Sequence, residues 1–204
     1  MKYILNTAIA LSLIFSSSLE VKAQELGQGN AIFSMGHGFV SPANALFGGL
    51  VEGLSTDSVL GEDAMSLRNL GPYYLKGEYM LSDNSGLGIN LAYISNRASW
   101  NDDIAGYNYN ATRNNLSILL RYNYYLMTRE SFELYGGLGA GLRVGGWRIN
   151  SDDPTFSGTP PSGSFPVGLE ATLGFRAYPI RNIAIYGEFG ASKGIAQFGL
   201  AYRL

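Results

Sequence analysis

Between Leu116 and Leu126 the sequence alternates with a period of two, and that alternation limits the available folds more than any other feature. Leu116, Ile118, Leu120, Tyr122, Tyr124 and Leu126 are all apolar or aromatic, whereas Ser117, Leu119, Arg121, Asn123 and Tyr125 between them are mixed and include a charge. Successive side chains of an extended chain point to opposite faces, so this segment reads as a strand with one apolar face and one mixed face. The same split recurs over Tyr73–Leu81, Leu87–Ile94, Phe132–Arg143, Phe165–Arg176, Ile183–Phe189 and Gln197–Leu204, and Ala31–Val40 adds an eighth, less regular segment. Helical periodicity does not compete, because glycine, aromatic and β-branched residues dominate these windows.

Strand length and connection length narrow the class further. Strands of soluble sheets average about five or six residues, while a strand crossing a bilayer at a tilt needs about 9 to 11. Several of these segments reach the longer range. Tight turns are expected at Ser82–Gly86, Met127–Ser131 and Tyr178–Asn182, with longer links at Ser41–Gly71, Ala98–Ala111 and Gly146–Gly163 and a short last link at Ala191–Gly194. Short turns at one end and longer loops at the other are the mark of an up-and-down membrane barrel. The expected fold is therefore all-β: an eight-stranded antiparallel up-and-down transmembrane β-barrel.

Which face meets which solvent decides between a membrane barrel and a soluble one. In a lipocalin-like barrel the apolar face lines the interior; in a membrane barrel the mixed face looks inward. Here the mixed face carries Lys76, Arg121, Arg143, Arg176 and Arg203 against Glu78, Glu133, Glu170 and Glu188, a near-balance that suits a confined network of ion pairs. Gly137, Gly139, Gly141, Gly168 and Gly174 lie on the same face and make room in a crowded interior. Tyr73, Tyr93, Phe165 and Phe189 fall near the loop-side ends of the apolar face, and Tyr79, Tyr124, Phe132 and Phe175 near the turn-side ends, as two aromatic girdles would.

The first residues read as an address. Lys2, an apolar run from Ile4 to Phe15, and Val21 and Ala23 at the −3 and −1 positions describe a secretory signal peptide cleaved after Ala23, leaving residues 24–204 as the barrel domain. The apolar run falls short of the roughly 20 residues a helical span needs.

The alternating strands, the glycine-rich Tyr135–Gly141 and the closing Phe198–Leu204 resemble the small eight-stranded outer-membrane barrels, the OmpA-transmembrane-domain and OmpX-like superfamily, in the form common among Bacteroidetes-type bacteria. The resemblance covers Ala31–Leu204 and departs from the family pattern at Leu204, where an aromatic residue is usual. It implies a place in the outer membrane, outer-membrane lipid and the barrel-assembly machinery as partners, and an extracellular ligand or surface partner at the loops.

Composition removes many chemistries. The 204-residue chain has no cysteine and one histidine, and its net charge of −2 gives no electrostatic footprint for nucleic acid. No cofactor and no metal are expected. Asp102–Asp103 and Asp152–Asp153 lack the spacing of a calcium loop and read as solvated charge. His37 is the one candidate for acid–base chemistry, with Ser34 and Ser41 near it in sequence, but no His-x-Ser motif follows it. Trp100, Tyr107, Tyr109 and Trp147 are expected at loop tips, where aromatics mark interaction surfaces. Three functions are compatible with these features. They are a non-enzymatic outer-membrane barrel with a stabilising or surface-interaction role, a lipid-modifying enzyme using His37, and a soluble periplasmic lipid carrier. A short helix at residues 43–54 covering one end of the barrel is a further expectation.

Overall fold

A computed structural model describes residues 26–39, 41, 65–102, 106–156 and 166–204. The expected signal peptide, the expected helix at residues 43–54, Phe165 and Asp103 lie outside them.

Eight antiparallel strands follow one another around a closed barrel: β1 (Ala31–Phe39), β2 (Met65–Ser82), β3 (Ser85–Asp102), β4 (Tyr107–Arg129), β5 (Phe132–Ser151), β6 (Val167–Ile180), β7 (Ile183–Ala191) and β8 (Ala196–Arg203). Each pairs with its sequence neighbour, and β1 pairs with β8 from Ile32↔Arg203 to Phe39↔Ala196, so no sheet edge is left open along that seam. The seam is tied at its foot, where the Leu204 amide donates to the Ala31 carbonyl at 2.8 Å.

The tight turns expected at one end are pairs of residues, Asp83–Asn84, Glu130–Ser131 and Arg181–Asn182, each between consecutive strands. Their carbonyls are used: Asn84 accepts from the Tyr125 amide, Ser131 from Tyr178 and Asn182 from Arg203, at 2.8–2.9 Å. Polar turns thus bond to the strand beyond and fix the register there.

The links at the opposite end are shorter than the sequence suggests. β2 begins at Met65 within the expected Ser41–Gly71 link, β3 and β4 run through most of Ala98–Ala111, and β5 continues to Ser151. Strands β2 to β5 therefore rise well above β1, β6, β7 and β8, as a four-stranded wall on one side of the mouth. Within β2 a register shift between Leu70 and Tyr73 interrupts the ladder at Gly71–Pro72. Proline cannot donate to a ladder, and Gly71 adopts φ +89°, so a bulge here is what the residues dictate. The bulge inverts the side-chain parity of β2: Tyr74, Lys76, Glu78 and Met80 point inward below it, while Leu70 and Arg68 point outward above it.

The burial pattern is the reverse of a water-soluble protein. Leu120 and Leu169 are 59% and 68% exposed, while Arg121 is 3% and Glu133 0% exposed. The outward set of β4 from Leu126 to Leu116 spans ten residue steps, about 34 Å of strand, or about 26 Å of height at a tilt near 40°, against an apolar band of about 25 Å on membrane barrels. Tyr73 and Tyr93 sit side by side at its upper edge, where Phe39, Phe189 and Phe198 also pack together. Tyr79, Tyr124 and the stacked pair Phe132–Phe175 occupy the lower edge.

Candidate functional site

Every inward position of the barrel wall is forced on the chain by the period of two, and those positions bring eight charged side chains into two balanced groups. Nearer the turns, Arg176 Nη2 lies 2.7 Å from Glu78 Oε2 and Arg176 Nη1 lies 3.1 Å from Glu133 Oε2, while Arg203 holds the other oxygen of Glu133. Tyr125 donates to Glu78 at 2.9 Å and accepts from Arg176. Arg176 lies 4.4 Å over the ring of Tyr135, and Arg203 lies 3.9 Å over that of Tyr178. Nearer the mouth, Glu188 takes Lys76 Nζ at 2.8 Å and Arg121 Nη1 at 2.9 Å, and Arg121 also reaches Glu170 at 2.9 Å. Tyr135 donates to Glu188 at 2.9 Å and so joins the two groups through its own body.

Each group carries two cations and two carboxylates, and neutral side chains add to the hydrogen bonding. Asn90 donates to Glu170 at 2.6 Å, Thr172 accepts from Arg121 and donates to Glu188, Asn123 accepts from Arg121 Nε, and Gln197 accepts from Lys76. Buried charges are tolerated when charge partners and hydrogen bonds are supplied. In this network Arg176 Nε and Asn90 Oδ1 are the buried polar atoms left without a hydrogen-bond partner among the described residues. The void between the groups, lined by Ser34, Lys76, Glu78, Arg121 and Arg176, is about 10 Å³ and at the threshold for one water. Glycine makes that density attainable: a Cβ at Gly139 would come within 2.6 Å of Glu170 Cγ, and one at Gly174 within 2.5 Å of Tyr135 Cζ.

Eight of the nine residues expected in the network are in it. Arg143 is the correction. Its parity is inward, but it sits only half-buried and forms no ion pair among the described residues, because no carboxylate lies at its level of the wall. It stands instead near Lys193 of the β7–β8 link. Lys193 donates to the Asn115 carbonyl at 2.9 Å and also to the Asn115 side chain. Burial pushes its amine down to about 7, and the nearby Arg143 and Arg113 guanidiniums push the same way. The neutral members of the network, Tyr125, Tyr135, Asn90, Thr172 and Gln197, are absent from the sequence-based set, although their inward parity is the signal that places them beside the ions.

The four aromatics expected at loop tips are on strands: Trp100 on β3, Tyr107 and Tyr109 on β4, Trp147 on β5. All four are half-buried. Trp100 stacks on Tyr109 with ring centroids 5.4 Å apart, Phe156 meets Tyr109 edge-on at 5.5 Å, and Trp100 and Trp147 pack against buried Ala98. Arg113 lies 5.4 Å over the Trp147 ring. These rings pack the inner side of the tall wall.

His37 lies on the outward side of β1, edge-on to Phe39 at 5.1 Å and to Tyr73 at 5.0 Å, within the upper aromatic girdle. Ser34 faces the lumen and is buried, so the strand separates the two side chains; the Ser41 hydroxyl is buried and has no hydrogen-bond partner among the described residues. Asp152 accepts from the Asn108 amide and side chain, and Asp153 from Thr155 and Tyr109, which holds both carboxyls below the usual carboxylate range. No group of three metal-ligating side chains occurs among the described residues.

No family model and no curated protein matches the sequence. Among solved structures the chain is similar to Ail, the attachment invasion locus protein of Yersinia pestis, in complex with the heparin analogue sucrose octasulfate, at 15% identity over 87% of this chain and 99% of that one, TM-score 0.45. It is also similar to the outer membrane protein OprG of Pseudomonas aeruginosa, at 15% identity over 90% and 99% and TM-score 0.43. A third likeness is to the N-terminal β-barrel domain of OprF of the same organism, at 14% identity over 87% and 99% and TM-score 0.39.

Proposed function

We propose that the chain is an integral outer-membrane protein whose lumen is a filled polar core. In this reading it is a non-enzymatic, membrane-stabilising barrel that presents its tall β2–β5 wall and connecting loops to the exterior. One observation carries the reading: the molecule is inside-out. Water-soluble monomers rarely expose a contiguous apolar patch beyond a few hundred Å². Here the apolar side chains form a belt around the barrel, with ions sealed behind it. A soluble lipid carrier needs an apolar cavity inside, and these ion pairs and the small void between them oppose that. The same filling opposes a diffusion pore.

The test is the membrane fraction run on a gel with and without boiling, together with planar-bilayer conductance of the purified chain. A boiling-dependent mobility shift without steady conductance supports the reading. Full solubility in detergent-free buffer overturns its membrane part, and open-channel currents overturn the filled lumen.

A further inference from the structure

Above the upper girdle the outward face of β2–β5 changes character in a regular way. Arg68 of β2 pairs with Arg97 of β3, Arg97 pairs with Thr112 of β4, and Thr112 pairs with Arg148 of β5. Paired residues in a sheet share a face, so these side chains form one row across four strands. All three arginines are exposed, and none forms an ion pair with a described residue. Arg68 joins the row only because the Gly71–Pro72 bulge inverts the parity of β2; without it the side chain would point into the barrel.

Like charges directly opposite one another destabilise a sheet, so the Arg68–Arg97 pair is a cost that calls for an anion. Adjacent strands are about 4.8 Å apart, which puts the three guanidiniums within about 15 Å of one another. The outward neighbours of the arginines are uncharged: Leu70, Ser95, Asn114 and Gly146 in the row below, and Ser66, Ser99, Asn110 and Asn150 in the row above. Ser95 donates to Asn114 and Ser99 donates to Asn110, each at 2.7 Å, on the rows directly below and above the arginines. The acid that follows on the same side, Asp152, is four residues beyond Arg148 and is occupied by Asn108.

The height selects the partner. Arg97 is four residues beyond Tyr93, about 13 Å along the strand and about 10 Å above the Tyr73–Tyr93 girdle, with Leu70 the one apolar outward side chain between the two rows on β2 and β3. An ordinary headgroup layer is only about 5–7 Å thick. We infer that the Arg68–Arg97–Arg148 row binds the phosphorylated sugar headgroup of a glycolipid in the outer leaflet, with the guanidiniums on phosphate and the Ser/Asn rows on sugar hydroxyls. Guanidinium matches phosphate in bidentate fashion, which an ammonium does not. The inference rests on the membrane reading above and deepens it, by naming which lipid is held and where.

The test uses the full chain reconstituted in phosphatidylcholine vesicles, with spin-labelled bis-phosphorylated lipid A, its dephosphorylated form, phosphatidylglycerol or phosphatidylcholine as the reporter. The fraction of motionally restricted label gives each lipid's preference for the protein surface. The chain should prefer phosphorylated lipid A over phosphatidylcholine, and the triple variant Arg68→Gln, Arg97→Gln, Arg148→Gln should lose about tenfold or more of that preference. Arg129→Gln with Arg181→Gln, at the turn end, should leave it unchanged. Salt near 0.5 M should weaken the preference of the unaltered chain, which tests the charge dependence without any substitution. An unchanged preference in the triple variant, or equal binding of dephosphorylated lipid A, overturns the arginine–phosphate contact. Equal preference for phosphatidylglycerol overturns the sugar part. Restricted lipid with no preference sinks this inference alone, whereas no restricted lipid of any kind sinks the membrane reading with it.

Discussion

Replacing Arg176 by methionine removes, among the described residues, the one cation paired with Glu78 and one of the two paired with Glu133, while Arg203 remains on Glu133. Breaking a buried pair by deleting one partner costs about 3–5 kcal/mol, because the surviving charge is left without compensation. With a urea dependence of about 2 kcal/mol per M, that is a fall of about 2 M in the unfolding midpoint. Glu78→Gln alone should cost less, since Arg176 keeps Glu133 and Tyr125. The double variant Arg176→Met, Glu78→Gln removes one charge of each sign and so keeps the core balanced, and replacing both partners of a buried pair is often close to neutral. Its midpoint should therefore lie above that of Arg176→Met alone, a coupling of about 1–3 kcal/mol in a double-mutant cycle. The assay is urea unfolding of the refolded chain in detergent micelles, read by gel mobility. An Arg176→Met midpoint equal to that of the unaltered chain, or a double variant whose loss is the plain sum of the single losses, refutes the network as drawn.

Gly174→Ala should destabilise by about 1–3 kcal/mol because its Cβ would press on Tyr135, whereas Gly136→Ala, with open space around the new methyl, should be near neutral in the same unfolding assay. Lys193 should be acylated by amine-reactive reagents with a half-point near pH 7, far below an ordinary lysine, which peptide mass mapping over a pH series can read; a half-point near 10 contradicts the burial argument. Because the folded-state value of Lys193 is below its unfolded value, this group penalises the folded state below about pH 7, and stability is regained as pH rises from there toward the ordinary lysine range. Lys193→Gln should flatten that slope in the unfolding midpoint. His37→Ala should leave the lipid A and phospholipid profiles of the membrane unaltered; an altered profile would favour a lipid-modifying role.

Much of the barrel is legible in the sequence because one variable, side-chain parity, controls it. The apolar set Leu116–Leu126 and its interleaved partners fix the two faces of β4, and the same logic gives the inward direction of all nine charged residues named for the network. Parity carries no information about height, and that is why the sequence groups Arg143 with the ion pairs: it points inward at a level where no glutamate does. Strand length is hidden for a related reason. Tyr107–Asn115 reads YNYNATRNN, where Tyr107, Tyr109 and Ala111 alternate with Asn108, Asn110 and Thr112 in the opposite sense to the lower strand, polar outward, so no apolar outer face marks it although the backbone remains paired to Ser151 and Asp102. A wall standing above a membrane has water against its outer face and its aromatic rings on the inner one, so it lacks the apolar outer face by which the lower strands are read, and its strands look like loops. The four aromatics of that wall therefore look like loop residues too. The outward position of Arg68 is equally hidden, since counting by two from Tyr74 gives the opposite face until the bulge at Gly71–Pro72 is known.

The absence of cysteine makes the central claim directly measurable. Single cysteines placed in turn from Leu116 to Leu126 in the reconstituted chain can each carry a nitroxide, whose relaxation by oxygen and by a water-soluble nickel complex is then recorded. Oxygen accessibility should peak at every second position, Leu116, Ile118, Leu120, Tyr122, Tyr124 and Leu126, with immobile labels or disrupted folding at Ser117, Arg121 and Tyr125. Nickel accessibility peaking at Ile118 and Leu120, or oxygen accessibility peaking at Ser117, Leu119 and Arg121 instead, would contradict a barrel that turns its apolar face to lipid.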